Sequence, residues 1–228
     1  MYALATKAEP RRTPAPRDPE RTRSTILMAA TAEFSCKGLH GARVDKIARR
    51  SGVNKRMIYH YFGDKEGLYL AVLEKSYTAI RTAELDLRLT DQDPFDSMRT
   101  LVRFTWNYFI AHPEFLSLLA TENLHRAAHL KQLPHIRELH SPLIGMISEV
   151  LRRGVRRKLF RRGVDPIQLY ISIAALGFFY LSNRHTLSTI FDRDLAAPTA
   201  LRERETHIVD VVLGYLRAGD GERVQRPG

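Results

Sequence analysis

Cysteine is almost absent: Cys36 is the one thiol among 228 residues. A single thiol excludes an intramolecular disulfide framework and any zinc cluster built from cysteines alone. Cys36 lies at helical spacing among apolar neighbours, which favours a packed thiol over a redox sensor. Long hydrophobic runs are missing too. The longest, Leu169 to Leu181, falls short of the about 20 residues that cross a bilayer, and reads as a buried core helix. The N-terminal segment has Pro and Arg where a secretory signal would have an apolar stretch, so a cytoplasmic protein with no membrane partner is expected. Acidic charge is the scarcer sign: 25 Asp and Glu face 36 Lys and Arg, for a formal net charge of +11. That balance does not set a fold, but it favours a polyanionic partner, with nucleic acid ahead of an acidic membrane face. Motifs of catalysis are absent as well. There is no Gly-x-Ser-x-Gly, no Gly-rich phosphate cradle and no convincing metal set, so no catalytic residue, cofactor or metal is assigned.

The 44% hydrophobic content is ordinary for a soluble chain, and the length allows one or two domains with a sizeable core. Residues 1–19 combine four prolines with Lys7, Arg11, Arg12 and Arg17, the composition of a flexible basic tail. From about Glu20 onward the pattern is helical throughout, with no sustained period-two alternation and no internal repeat; the fold class is all-α. Ile26, Leu27, Ala30 and Phe34 share one face, and Gly38 stops that helix. Short helices follow at Val44 to Arg50 and at Lys55 to Phe62, ended by Gly52 and Gly63. Asp64 caps a fourth that runs through Leu68, Val72 and Leu73. Longer helices are expected from Phe95 to Pro113, Phe115 to Leu130, Pro142 to Phe160, Pro166 to Phe191 and Leu201 to Leu216. A head over 20–67, a body over 68–218 and a short tail over 219–228 result.

The two short helices carry the chemistry. A helix-turn-helix needs a tight turn that admits positive φ and a second helix exposed enough to enter a groove about 12 Å wide. Ser51-Gly52-Val53 supplies the turn, Asn54 a cap, and Lys55, Arg56, Tyr59 and His60 an outward face able to reach phosphates and base edges. Residues 20–75 hold eleven Lys or Arg against six Asp or Glu, so the positive charge is present where it would be used.

Gly38-Leu39-His40-Gly41, Val44, Ile47-Ala48, Ser51-Gly52-Val53-Asn54-Lys55, Ile58-Tyr59-His60-Tyr61-Phe62, Asp64-Lys65-Glu66 and Leu68, in that order and spacing, resemble the N-terminal signature of the TetR family of repressors. The resemblance covers roughly residues 21–75. It implies a three-helix DNA-binding head on a larger all-α body that dimerises and holds a small effector. By position it implies that Asn54 and Lys55 open the recognition helix, Tyr59 and His60 meet the backbone and groove, Lys65 holds a phosphate and Arg43 touches the DNA backbone. Two departures stand out: Ala42 replaces a usual Thr, and Arg56 and Met57 replace usual small residues. Arg56 is therefore a base reader or a phosphate contact. The expected partner is double-stranded DNA with a palindromic operator, bound by a homodimer acting as a repressor. An architectural DNA-binding protein without sequence choice, or an all-α enzyme, are the alternatives.

For the dimer interface the surplus of apolar groups points to Leu176, Phe178, Phe179 and Tyr180 with Ile208, Val211, Val212 and Tyr215. For an effector pocket, Trp106, Phe109 and Phe115 could form walls and Asn123, Arg126 and Asn183 could orient a ligand. The C-terminal half also resembles regulators of aromatic or heterocyclic acid catabolism, and an Arg in the set would suit a carboxylate. His125 and His129 at i, i+4 read as a surface pair rather than a metal site. The cluster of Arg152, Arg153, Arg156, Arg157, Lys158, Arg161 and Arg162 reads as a solvated helix end.

Overall fold

Proline and aspartate set the frame. In the computed structural model, which describes residues 18–219, helices α1 (Pro19–Gly41), α5 (Pro94–Ala111), α6 (Pro113–Leu124), α8 (Pro166–Ile190) and α9 (Pro198–Leu216) all open on proline. The missing N–H costs nothing at a position where it would be unpaired anyway. Asp18, Asp93 and Asp165 cap α1, α5 and α8, each accepting from a backbone amide of the first turn. Between them run α2 (Val44–Ser51), α3 (Lys55–Phe62), α4 (Lys65–Leu85) and α7 (Ile136–Arg156). Among the described residues the fold is all-α, as expected, with a single antiparallel bridge between Phe160 and Arg217.

Two buried clusters divide the work. The first joins α1, α2 and α3 through Ile26, Phe34, Ile47 and Ile58 to Leu68, Tyr69, Val72 and Leu73 of α4, and takes in Leu118 of α6. The second begins further along α4, at Tyr77 and Ile80, and gathers α5 through α9 around Trp106, Ile147 and Ile208. The head–body boundary expected after residue 67 thus falls inside α4, which supplies both cores. The expected tails at 1–19 and 219–228 lie almost wholly outside the described residues; Asp18 and Pro19 already belong to α1.

Four expectations about elements need correction. Gly38 breaks α1 with φ 63°, but a further turn follows to Gly41 and buries Leu39. The helix expected from Phe115 to Leu130 ends at Leu124, and Arg126 and Ala127 adopt positive φ of 56° and 55°. His125 and His129 are consequently not on one helix face. The helix expected to open at Pro142 starts six residues earlier, at Ile136, and carries Pro142 inside it. It ends at Arg156, leaving Phe160 in the bridge. The basic cluster is more than a solvated end: Arg153 donates to the carbonyls of Thr90 and Gln92, Arg157 pairs with Asp93 at 2.6 Å, and Arg161 lies over the Tyr215 ring at 4.9 Å. The Arg153 and Arg157 contacts tie the end of α7 to the short 3₁₀ turn Leu89–Asp91 and the cap of α5, and the Arg161 contact ties the following segment to α9.

Candidate nucleic-acid interface

The recognition helix α3 is held by its two ends and its inner face. Gly52 takes the left-handed conformation at φ 66°, which a Cβ would oppose, and its turn is closed by Val53 N–H donating to the Ala48 carbonyl at 3.2 Å. Asn54 Oδ1 accepts from Arg56 N–H at 2.8 Å, satisfying an amide that the helix cannot. Ile58 is wholly buried against the head core, and Arg23 of α1 lies 5.4 Å from the Phe62 ring centroid. With that face inside, Lys55, Arg56, Tyr59 and His60 are left exposed on the other. Lys55 pairs with Asp45 of α2 at 2.8 Å, which holds the Asp45 carboxyl below and the Lys55 amine above their ordinary ranges. Both partners are solvent-exposed, so the pair adds little stability and its charge is exchangeable.

Arg43 caps α2 with its side chain exposed, and its N–H donates to Glu33 of α1 at 3.2 Å. Lys65 is placed differently. Its Nζ lies 3.4 Å from the carbonyls of both His40 and Ala42, where it neutralises the end of α1. Asp64 caps α4 by accepting from Gly67 N–H at 2.7 Å. A Cβ at Gly67 would sit 2.2 Å from the Phe62 carbonyl oxygen, a backbone atom at the end of α3. Gly67→Ala is expected to displace the recognition helix and lower duplex affinity about tenfold or more, with a loss of stability of about 1–3 kcal/mol. Fluorescence anisotropy beside chemical denaturation checks both, and unchanged affinity would refute the coupling.

Residues 26–72 match the profile of "Bacterial regulatory proteins, tetR family", and residues 94–212 match a "Tetracyclin repressor-like, C-terminal domain". The HTH-type transcriptional repressor NicS of Pseudomonas putida is 42% identical over 87% of this chain and 93% of its own length. This chain belongs to the TetR family. A second TetR-like relative, the HTH-type transcriptional repressor SCO4008 of Streptomyces coelicolor, is 33% identical over 71% of this chain and 79% of its own. Among solved structures, the putative transcriptional regulator SCO4942 of the same species superposes with a TM-score of 0.64 at 25% identity, covering 87% of this chain and 99% of its own. As a TetR-family protein the chain is a DNA-binding transcriptional regulator, and α2–α3 is its helix-turn-helix.

The TetR body distributes the remaining expected residues unevenly. Trp106, Phe109 and Phe115 are buried: Trp106 packs edge-on against Tyr180 at 5.7 Å, and Phe109 stacks on Phe115 at 6.2 Å. Asn123 and Arg126 are exposed, Asn123 donating to the Leu119 carbonyl, and Asn183 donates to the Phe179 carbonyl. Of these six, Phe115 alone reaches a groove of about 720 Å³ between head and body, lined also by Ser76, Tyr108, His112 and Lys75. Cys36 lines the same groove and is exposed; α1 turns it away from its apolar neighbours.

On α8 and α9, Phe179, Val211 and Tyr215 are exposed, together with Ile167 and Ile171, which the sequence reading did not name. Leu176 and Phe178 are half-buried, while Tyr180, Ile208 and Val212 face the core. Helical period explains the split: on α9, residues 208, 209, 212 and 213 share the inner face, and 211 and 215 the outer. Among the described residues no helix is long and apolar enough to cross a membrane.

Two polar centres were missed from sequence. Glu122 is buried and accepts from Tyr69 Oη, His129 Nδ1 and Leu130 N–H at 3.0, 2.9 and 3.0 Å, joining α4, α6 and the following turn. His129 is therefore mostly enclosed rather than part of a surface pair. The other centre is Arg81 and Glu84 on α4. Counted from Tyr77, Ile80 stands at i+3, Arg81 at i+4 and Glu84 at i+7, so the signal was available: two charges on an otherwise apolar inner stripe.

Proposed function

We propose that this chain is a sequence-specific transcriptional repressor that binds a twofold operator as a homodimer and is released by a small-molecule effector. The observation that carries the DNA-reading part is the exposed face of α3, where Lys55, Arg56, Tyr59 and His60 stand on a helix fixed by Gly52, Asn54 and Ile58. Dimerisation is supported by the exposed apolar groups Ile167, Ile171, Phe179, Val211 and Tyr215, the last three of which line a groove of about 540 Å³ between α8 and α9. Successive major-groove faces lie about 34–36 Å apart, so a paired arrangement of heads matches a palindromic site. Repression follows the names of both relatives, which describe transcriptional repressors. The same names argue against an enzyme.

Arg56 is the proposed base reader and Arg43 the proposed backbone contact. Arg56→Ala is expected to relax preference at one operator position at a cost of about 1–3 kcal/mol in discrimination, whereas Arg43→Ala weakens all duplexes alike. Selection of duplexes from a random pool, then competition with scrambled duplexes, measures both. Equal loss across sequences in both variants removes Arg56 as a reader. Binding with a steep salt slope and no preference for the selected duplex would replace the regulator with an architectural protein.

A further inference from the structure

Two charged side chains inside the body are left with their hydrogen-bonding capacity unfilled. Arg81 and Glu84 are 4% and 0% exposed, and Arg81 Nη1 lies 2.7 Å from Glu84 Oε2. Arg81 Nη2 donates to Tyr170 Oη of α8 at 2.8 Å. Beyond that, among the described residues Arg81 Nε has no acceptor, Glu84 Oε1 has no donor, and the short Nη1–Oε2 approach lacks hydrogen-bond alignment. A core that only needed filling would be served as well by apolar side chains, and buried charges are otherwise kept where something pairs with them.

The surroundings indicate what that something is. Tyr170 flanks the guanidinium, its ring centroid 5.3 Å from Arg81 Cζ. Phe115 packs edge-on against Tyr77 at 5.4 Å and Tyr108 at 6.1 Å. Tyr108 and Phe115 also line the 720 Å³ groove, as do Ser76 and Ala79 of α4, so the open cleft comes within two residues of Arg81 along the same helix. Burial pushes the Glu84 carboxyl up to about 7 against the opposing pull of Arg81, so near neutrality it can offer either a lone pair or a proton. A dianion would be repelled by Glu84 and a bare ammonium by Arg81.

We propose that Arg81 and Glu84 recognise the effector, a small flat aromatic molecule whose polar edge sets an acceptor beside a donor, as in a carboxyl, a lactam or a primary amide. The acceptor takes Arg81 Nε–H, the donor meets Glu84 Oε1, and the tyrosine and phenylalanine rings hold the flat face. The proposal rests on the reading of the chain as an effector-released regulator.

The probes are benzoate, benzamide and 2-pyridone, with toluene and methyl benzoate as controls that lack the paired edge. Calorimetry on the full chain reads binding, and anisotropy on a duplex selected by the protein reads release. At least one of the three probes is expected to bind the wild type and lower duplex affinity by about tenfold or more, while both controls do neither. Arg81→Met combined with Glu84→Leu removes both charges without leaving one unpaired. It should keep the wild-type duplex affinity and lose probe binding by about tenfold or more. Glu84→Gln should favour benzoate, since the fixed amide N–H donates to a carboxylate. Failure of all three probes to bind the wild type at about millimolar concentration overturns the ligand class. A probe that releases DNA equally from wild type and double variant overturns the site but leaves the effector reading standing. A probe that needs the pair yet leaves duplex affinity unchanged keeps the site and sinks that reading.

Discussion

Arg81→Met alone is expected to cost about 3 kcal/mol of stability at about pH 8.5 and much less at about pH 5. The reason lies in what remains behind. Without the guanidinium, the Glu84 carboxylate is unpaired in an apolar core, and breaking a buried pair from one side costs about 3–5 kcal/mol. In acid a proton removes that charge. The wild type already leans this way, because burial raises Glu84 from 4.5 to about 7. The stability linked to protonated Glu84 is fully present below pH 4.5 and is lost as pH rises through about 7. That loss is on the order of 3 kcal/mol at about 1.4 kcal/mol per unit. Glu84→Gln should remove this part of the pH dependence. Adding Glu84→Leu to Arg81→Met should restore stability at alkaline pH. Urea denaturation at several pH values measures each variant, and a penalty for Arg81→Met that does not change with pH would show that Glu84 is not the stranded charge.

Gly154→Ala is expected to cost about 3 kcal/mol at any of these pH values, near the upper end of overpacking penalties. A Cβ at Gly154 would stand 2.1 Å from Phe160 Cδ2, with two more ring atoms at 2.5 and 2.7 Å. The ring has no easy retreat. Phe160 is 2% exposed, meets Phe95 edge-on at 4.9 Å, and its segment is stitched to the end of α9 by the bridge to Arg217. Leu159 and Phe160 N–H both donate to the Gly154 carbonyl, so the turn cannot move without losing them. For a chain of this length the melting temperature should fall by about 6–12 °C. Phe160→Leu should lower stability in the wild type but recover part of it in the Gly154→Ala background. A double-mutant cycle showing simple additivity would mean that the methyl and the ring do not meet.

Local signals were legible because their physics is local. Gly52, Gly63, Asn54 and Asp64 lie where a left-handed turn or a free amide needs them, and with the basic outward face and the family signature they made the helix-turn-helix readable. Apolar periodicity also placed most of the long helices. Pro142 misled because a proline reads as a helix start, yet here the chain continues through it once packing has fixed Leu143, Ile147 and Val150 in the core. The effector residues were harder still. Trp106, Phe109 and Phe115 are apolar enough to wall a pocket or to fill a core, and only tertiary packing chooses. Arg81 and Glu84 have the i, i+3 spacing of an ordinary surface pair, and only Tyr77 and Ile80 on the same face mark them as inward. Glu122 could not be found at all from spacing, since Tyr69 reaches it from 53 residues away.

The sharing of α4 between the two cores has a mechanical result. From Lys65 to Glu84 the helix is about 28 Å of continuous rod at about 1.5 Å per residue. A tilt of about 5° pivoting at Glu84 therefore sweeps the opposite end through about 2.5 Å. Only Gly63 and Asp64 separate that far end from the close of α3, and Gly67 lies hard against the Phe62 carbonyl, so the sweep would be handed to the recognition helix with little slack. Two heads swung in opposite senses would change their separation by about 5 Å, enough to take one of them out of register with its groove. If the effector acts at Arg81 as proposed, an arm of that length would turn a rearrangement smaller than one methyl group there into a displacement larger than a hydrogen bond can follow.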